Sequence, residues 1–237
     1  SNIAKERIKT EWVKTIFGKS LSVPFSQLFS SGIADYVLPD FCVDYLSRKT
    51  SGELKSFITN IMLYLPSDLD FCWEWRLATM LAGNIFDDYL ILEKYLQDNR
   101  YSRLEITRII SMIKAINQPL PDSSRQSIRI YLKYILPFDW YTVDLARRAS
   151  GYSPQPEYLI ESLNHESEVG IIASHHELKI SGNTLKSYFK IDAGPWIGTI
   201  LKKLEWAVVE APEINNEKDL IQLARNHLVS IGEINEK

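Results

Sequence analysis

Apolar positions along the chain recur at helical rather than strand spacing. Ile8, Trp12, Val13 and Ile16 share one face of a helix predicted over residues 4–17, with Asn2 placed to cap it and Gly18 to stop it. Pro24 opens a short helix carrying Phe25, Leu28 and Phe29 and closed by Gly32, and residues 33–40 add one apolar turn ended by Pro39. Residues 48–52 read as a loop, and a helix over 54–65 ends at Pro66. Ser67-x-x-Asp70 has capping-box spacing and predicts an apolar helix through Trp73, Leu77, Met80 and Leu81, ended by Gly83-Asn84. Further helices are predicted over 87–97, from the Ser102-x-x-Glu105 box through Ile106, Ile109, Ile110, Ile113 and Ile116, and from an Asp122 cap to Pro137 with Ile128, Tyr131, Leu132 and Ile135 inward. Two more cover 140–149 and 157–169, separated by a Gly- and Pro-containing linker over 151–156.

The C-terminal third carries a helical hairpin over 178–210. Ser181-Gly182 is a turn, and Asn183 is placed to cap a short helix with Leu185, Tyr188 and Phe189 on one face. Pro195 suits the first position of a longer helix, whose stripe is Ile197, Ile200, Leu201, Leu204 and Val208. A last helix, capped near Asn215 or Asn216, carries Leu220, Leu223 and Leu228 toward a polar end expected to fray. Apart from short stretches such as 171–173, no alternating pattern is present, so the fold class expected is all-α.

Composition narrows this picture. The chain has 237 residues, 45% of them hydrophobic, enough for a large core and against wholesale disorder. With 27 basic and 30 acidic residues, the net charge of −3 supplies no global attraction for nucleic acid, so any RNA contact must be local. Cys42 and Cys72, the two cysteines, form no C-x-x-C and read as reduced thiols of a cytoplasmic protein. No apolar run approaches the ~18 residues of a spanning helix, so no membrane is expected. Ser1-Asn2, in place of an initiator Met, reads as a cleavage scar and predicts a piece of a longer protein.

Catalytic constellations do not emerge. His165, His175, His176 and His227 have no metal-ligand spacing; His175-His176 reads as a polar loop and no metal site is expected. Asp87-Asp88 diverge by about 100° on a helix and read as charges favouring its N-terminal dipole. Arg125, Arg129 and Lys133 do fall on one helix face, with no acidic residue between them on that face. That pattern is either a solvated surface or a phosphate-contacting stripe, which Arg147 and Arg148 on the next helix would extend.

Two segments carry a resemblance. Ile3-Ala-Lys-Glu-Arg-Ile-Lys-Thr-Glu11, with Glu6, Arg7 and Glu11, resembles the neck motif of bacterial class II CCA-adding enzymes, the tRNA nucleotidyltransferase and poly(A) polymerase family. Ile180-Ser-Gly-Asn-x-Leu185, then Gly194-Pro-Trp-Ile-Gly198 and Val209-Glu-Ala-Pro-Glu-Ile-Asn-Asn-Glu-Lys218, resemble that family's C-terminal part. Between them, many family members read Arg-Leu-Ala-x-Leu-Leu-His-Asp where this chain reads Arg76-Leu-Ala-Thr-Met-Leu-Ala-Gly83, so that helix reads as core.

The resemblance implies an elongated array of neck (1–66), body (67–150) and tail (151–237) subdomains that holds tRNA. It implies a parent enzyme that adds C, C and A to tRNA 3′ ends from CTP and ATP with magnesium. Catalysis in the family lies in an N-terminal head whose carboxylate-bearing Gly-rich turn and Glu-Asp-x-x-Arg helix have no counterpart in this sequence. This chain is therefore expected to hold no catalytic residue, to bind no cofactor itself, to be inactive alone, and to partner tRNA and its own head. A poly(A) polymerase and a helical protein-binding scaffold are the alternatives. Gly194 to Gly198 would either present helix N-terminal amides to a phosphate, with Lys186, Lys190, Lys202 and Lys203 around them, or only permit close packing of the hairpin; Trp196 reads as core.

Overall fold

The computed structural model describes residues 2–18, 27, 30–82 and 89–230. The expected Pro24 helix, the Gly83-Asn84 stop, Asp87-Asp88 and the frayed end lie outside them. The described residues form α-helices and short 3-10 turns, with no strand among them, so the fold is all-α. In chain order the helices are α1 (Asn2–Phe17), α2 (Ala34–Val37), α3 (Asp40–Ser47), α4 (Ser51–Tyr64), α5 (Cys72–Ala82), α6 (Tyr89–Asp98), α7 (Arg103–Asn117), α8 (Arg125–Ile135), α9 (Trp140–Ala149), α10 (Glu157–Val169), α11 (Gly182–Phe189), α12 (Pro195–Glu210) and α13 (Glu217–Ser230). Single 3-10 turns cover His175–Glu177 and Pro212–Ile214.

Several helix starts follow their caps. Ser102 Oγ accepts from Glu105 N while the Glu105 carboxylate accepts from Ser102 N, the reciprocal box read from the sequence. Pro195 opens α12 behind Gly194, and Asn216 Oδ1 accepts from Asp219 N at 3.0 Å at the start of α13. Others differ. Residues 67–70 form turns, Phe71 takes a left-handed φ of 54°, and α5 begins only at Cys72, so Ser67 caps nothing. Thr50 and Glu53 form an unanticipated capping box, drawing 51 and 52 out of the expected loop into α4. Ser181, not Asn183, caps α11, and Ser124, not Asp122, caps α8; Asp122 accepts from Ser124 N one step earlier.

The chain divides into two compact units, residues 1–118 with 138–155, and 119–137 with 156–237. Residues 119–137, which the sequence reading assigns to the body span, thus fold with the helices of the tail span. In the first unit α5 is buried along its length save for the partly buried Trp73, and it packs on α7; Leu77, Met80 and Leu81 of the one helix and Ile109, Met112 and Ile113 of the other are all buried. Its one buried arginine, Arg76, donates to the carbonyls of Leu65, Ile16 and Gly18 and so serves the ends of α4 and α1. The helix reads as core in the structure as in the sequence. In the second unit Leu185, Trp196, Ile200, Leu204, Val208, Leu220, Ala224 and Leu228 form one cluster joining α11, α12 and α13. There α8 packs on α10 and α12, and the Tyr134 ring lies 5.4 Å from that of Trp206.

Candidate nucleic-acid interface

The cations singled out by sequence fall into two chemically different sets. Arg129 is 1% exposed. Its guanidinium donates to Glu166 Oε2 at 2.8 Å, to the Gly170 carbonyl at 3.0 Å and to the Val209 carbonyl. Lys133 donates to Glu205 Oε1 at 2.6 Å and to the carbonyls of Ile172 and Ala173. Arg125 pairs with Glu166 at 2.9 Å and reaches Glu213 at 3.6 Å, and only it of the three keeps a half-exposed side chain. The stripe expected on α8 therefore lacks neither acids nor cover: the acids come from α10, α12 and the turn after it. Neither a solvated face nor a free phosphate ridge describes it. Burial works to raise the Glu166 carboxyl, but hydrogen bonds from Arg129 and Arg125 outweigh it and hold it below the ordinary carboxylate range.

Arg147 and Arg148 belong to the first unit and are engaged there. Arg147, 6% exposed, donates to the carbonyls of Ile116 and Gln118 that end α7 and stacks 4.5 Å from the Tyr152 ring centroid. Arg148 pairs with the buried Asp144 one helical turn away at 2.6 Å.

The lysines of the α11–α12 hairpin are different. Lys186, Lys190, Lys202 and Lys203 are all exposed. No carboxylate among the described residues lies within ion-pair reach of them. Lys190 sits in the left-handed region at the end of α11. The hairpin beneath them is rigid: a Cβ on Gly182 would lie 2.8 Å from Ile197 Cγ2, so only glycine allows α11 to approach α12 this closely. That close-packing role had been set against Gly194 and Gly198. At Gly198 an added Cβ meets nothing within 4 Å, and at Gly194 it meets only the Trp196 ring two residues on, at 3.3 Å. Trp196 is buried as expected and donates from Nε1 to the Asp192 carbonyl at 2.8 Å.

The neck-motif residues Glu6, Arg7 and Glu11 lie exposed on α1. Arg7 and Glu11 border a largely apolar groove of about 840 Å³ with Ile8, Trp12 and Val37. Lys14 holds Glu11 at 2.9 Å. The His175 and His176 rings lie with centroids 4.2 Å apart, tilted by 37°, in the polar segment before α11. Among the described residues no three His, Cys, Asp or Glu side chains come together to hold a metal ion. No helix among the described residues is long and apolar enough to cross a membrane.

Known proteins match this sequence over most of its length. Residues 79–224 match the family model described as "tRNA nucleotidyltransferase domain 2 putative", and residues 1–44 match that described as "Probable RNA and SrmB- binding site of polymerase A". A CCA-adding enzyme of Leuconostoc mesenteroides is 24% identical over 228 residues, covering 96% of this chain and 51% of the relative. One of Bacillus cereus is 23% identical over 194 residues, covering 77% of this chain and 46% of the relative. The chain thus spans about half the length of the curated relatives it matches. No solved structure matches. With the family model covering more than half of the chain, from within α5 into α13, and a CCA-adding enzyme aligning over 96% of it, the chain belongs to the tRNA nucleotidyltransferase family.

Proposed function

We propose that this chain is the tRNA-holding part of a nucleotidyltransferase that builds the CCA end of tRNA from CTP and ATP. The observation that carries the reading is the set of four exposed, unpaired ammonium groups on the α11–α12 hairpin of a chain in this family. Lys186, Lys190, Lys202 and Lys203 offer charge to a phosphate backbone, whereas the cations singled out on α8 and α9 are engaged by carboxylates or carbonyls of the protein itself. Residues 1–66, 67–150 and 151–237 correspond in this reading to neck, body and tail, with 119–137 folding among the tail helices, and Glu6, Arg7 and Glu11 lie on the side of α1 that meets a catalytic head. That head supplies the magnesium-bound carboxylates and the selection of CTP and ATP. The enzyme works in the cytoplasm, where Cys42 and Cys72 stay reduced. Incorporation of labelled CTP and ATP into tRNA lacking its CCA end is the test. The isolated chain is expected to give none, and robust incorporation by it contradicts the assignment.

The match of residues 1–44 to a polymerase A segment favours one second reading, a poly(A) polymerase of the same superfamily. The product of the parent protein, three defined nucleotides or a long A tract, separates the two.

A further inference from the structure

We infer that the segment before α11 forms a subsite for one unpaired nucleotide of the RNA. His175, His176, Lys179, Ser181, Thr184 and Leu201 line a cavity of about 490 Å³ in the second unit, a volume larger than a phosphate group needs. None of these residues serves the basic set described above. This inference rests on the RNA-holding reading.

The cavity is built on a fixed frame. Asn215 reaches across to the 177–179 backbone, its Oδ1 accepting from Lys179 N at 2.9 Å and its Nδ2 donating to the Glu177 carbonyl at 3.1 Å. The Glu177 carboxylate accepts from the amides of Ala173 and Ser174, which fixes the start of the His175–Glu177 turn. Leu178 and Ile180 anchor the same strand of chain in the core cluster. On the other side the close approach of Gly182 to Ile197 fixes α11 against α12.

The lining has the chemistry of a nucleotide. Two neighbouring imidazoles, tilted 37° to each other, and the Leu201 side chain offer flat and apolar surface to a base or ribose. The Ser181 and Thr184 hydroxyls, hydrogen-bonded to each other at 2.9 Å, leave one O–H donor, and the Lys179 ammonium adds more, for phosphate oxygens. No carboxylate among the described residues pairs with Lys179, His175 or His176, unlike the cations of α8. Single-stranded RNA is recognised by this combination of ring stacking and backbone donors.

The test uses the full chain with nitrogen-labelled histidines, titrated separately with a tRNA transcript lacking CCA, with CTP and with inorganic phosphate. The ring signals of His175 and His176 are expected to shift with tRNA at the concentration where binding saturates, and not with CTP or phosphate at equal concentration. Lys179→Ala combined with His176→Ala is expected to weaken tRNA binding about tenfold and to lower its salt slope by about one. Both side chains are exposed, so the variant folds, which its helical circular dichroism checks. If the chain binds tRNA while the rings stay still and the variant binds equally well, the subsite is overturned and the RNA-holding reading stands. An equal response to CTP or phosphate overturns the assignment to an RNA nucleotide. Absence of tRNA binding at about 50 mM salt overturns the subsite and the reading together.

Discussion

Arg129 neutralises the buried carboxylate of Glu166 and so ties α8 to α10. Its spacing with Arg125 and Lys133 says that the three share a face, but spacing is silent about what covers that face. A signal was nonetheless present: Leu159, Leu163 and Glu166 follow at i, i+4 and i+7, so Glu166 occupies an apolar position of α10 and calls for a buried cation. Arg129→Met removes that cation and leaves Glu166 buried; it is expected to destabilise the second unit by about 3–5 kcal/mol, read by chemical denaturation. Glu166 also sets a pH dependence. Its folded value lies below the ordinary carboxylate value of 4.5, so its stabilisation is present above 4.5 and lost as pH falls through the lower folded value. The melting gap between wild type and Glu166→Gln should be full at neutral pH and close in the acid range; a gap independent of pH contradicts the pairing. The glycines give opposite expectations. Gly198→Ala, with open space around its Cβ, should stabilise by about 0.5–1 kcal/mol, whereas Gly182→Ala, driven into Ile197, should cost about 1–3 kcal/mol.

At the scale of elements, helix ends explain both what was legible and what was not. The expected span of α9, 140–149, matches the structure, where Asp139 accepts from Thr142 N at 2.8 Å and the buried Trp140, Val143, Ala146 and Ala149 share their face with Asp144 and Arg147. Asp139→Ala should cost about 0.5–2 kcal/mol in thermal unfolding. The start of α5 was misplaced because Ser67 and Asp70 have capping spacing, yet the chain turns left-handed at Phe71 and restarts. Arg108 stacks 3.9 Å from that Phe71 ring centroid and pairs with buried Glu74, a long-range arrangement that local spacing does not encode. Helix C-termini were the larger gap. Arg76, Arg129 and Arg147 each donate to carbonyls at the ends of other helices, a role set by tertiary packing and therefore invisible to residue order. The hairpin of α11 and α12 was legible from Ser181-Gly182 and Gly194-Pro195, though the glycine that makes it tight is Gly182.

For the whole molecule, the all-α class and the family were both legible, the first from apolar period and the second from residues 3–11 and 180–218. The interleaving of the two units was not, since nothing local marks residues 119–137 as belonging with the later helices. In the proposed function tRNA is held through the hairpin lysines rather than the α8 cations. Titration of the chain with tRNA over a range of salt, for wild type and for the combined Lys186→Glu, Lys190→Glu, Lys202→Glu and Lys203→Glu variant, tests it most directly. The account predicts binding that weakens steeply with salt in wild type, and a variant that stays folded, binds at least about tenfold more weakly and shows a flatter salt dependence. Equal affinity and equal slope in the two proteins, or no tRNA binding by wild type at low salt, would contradict it.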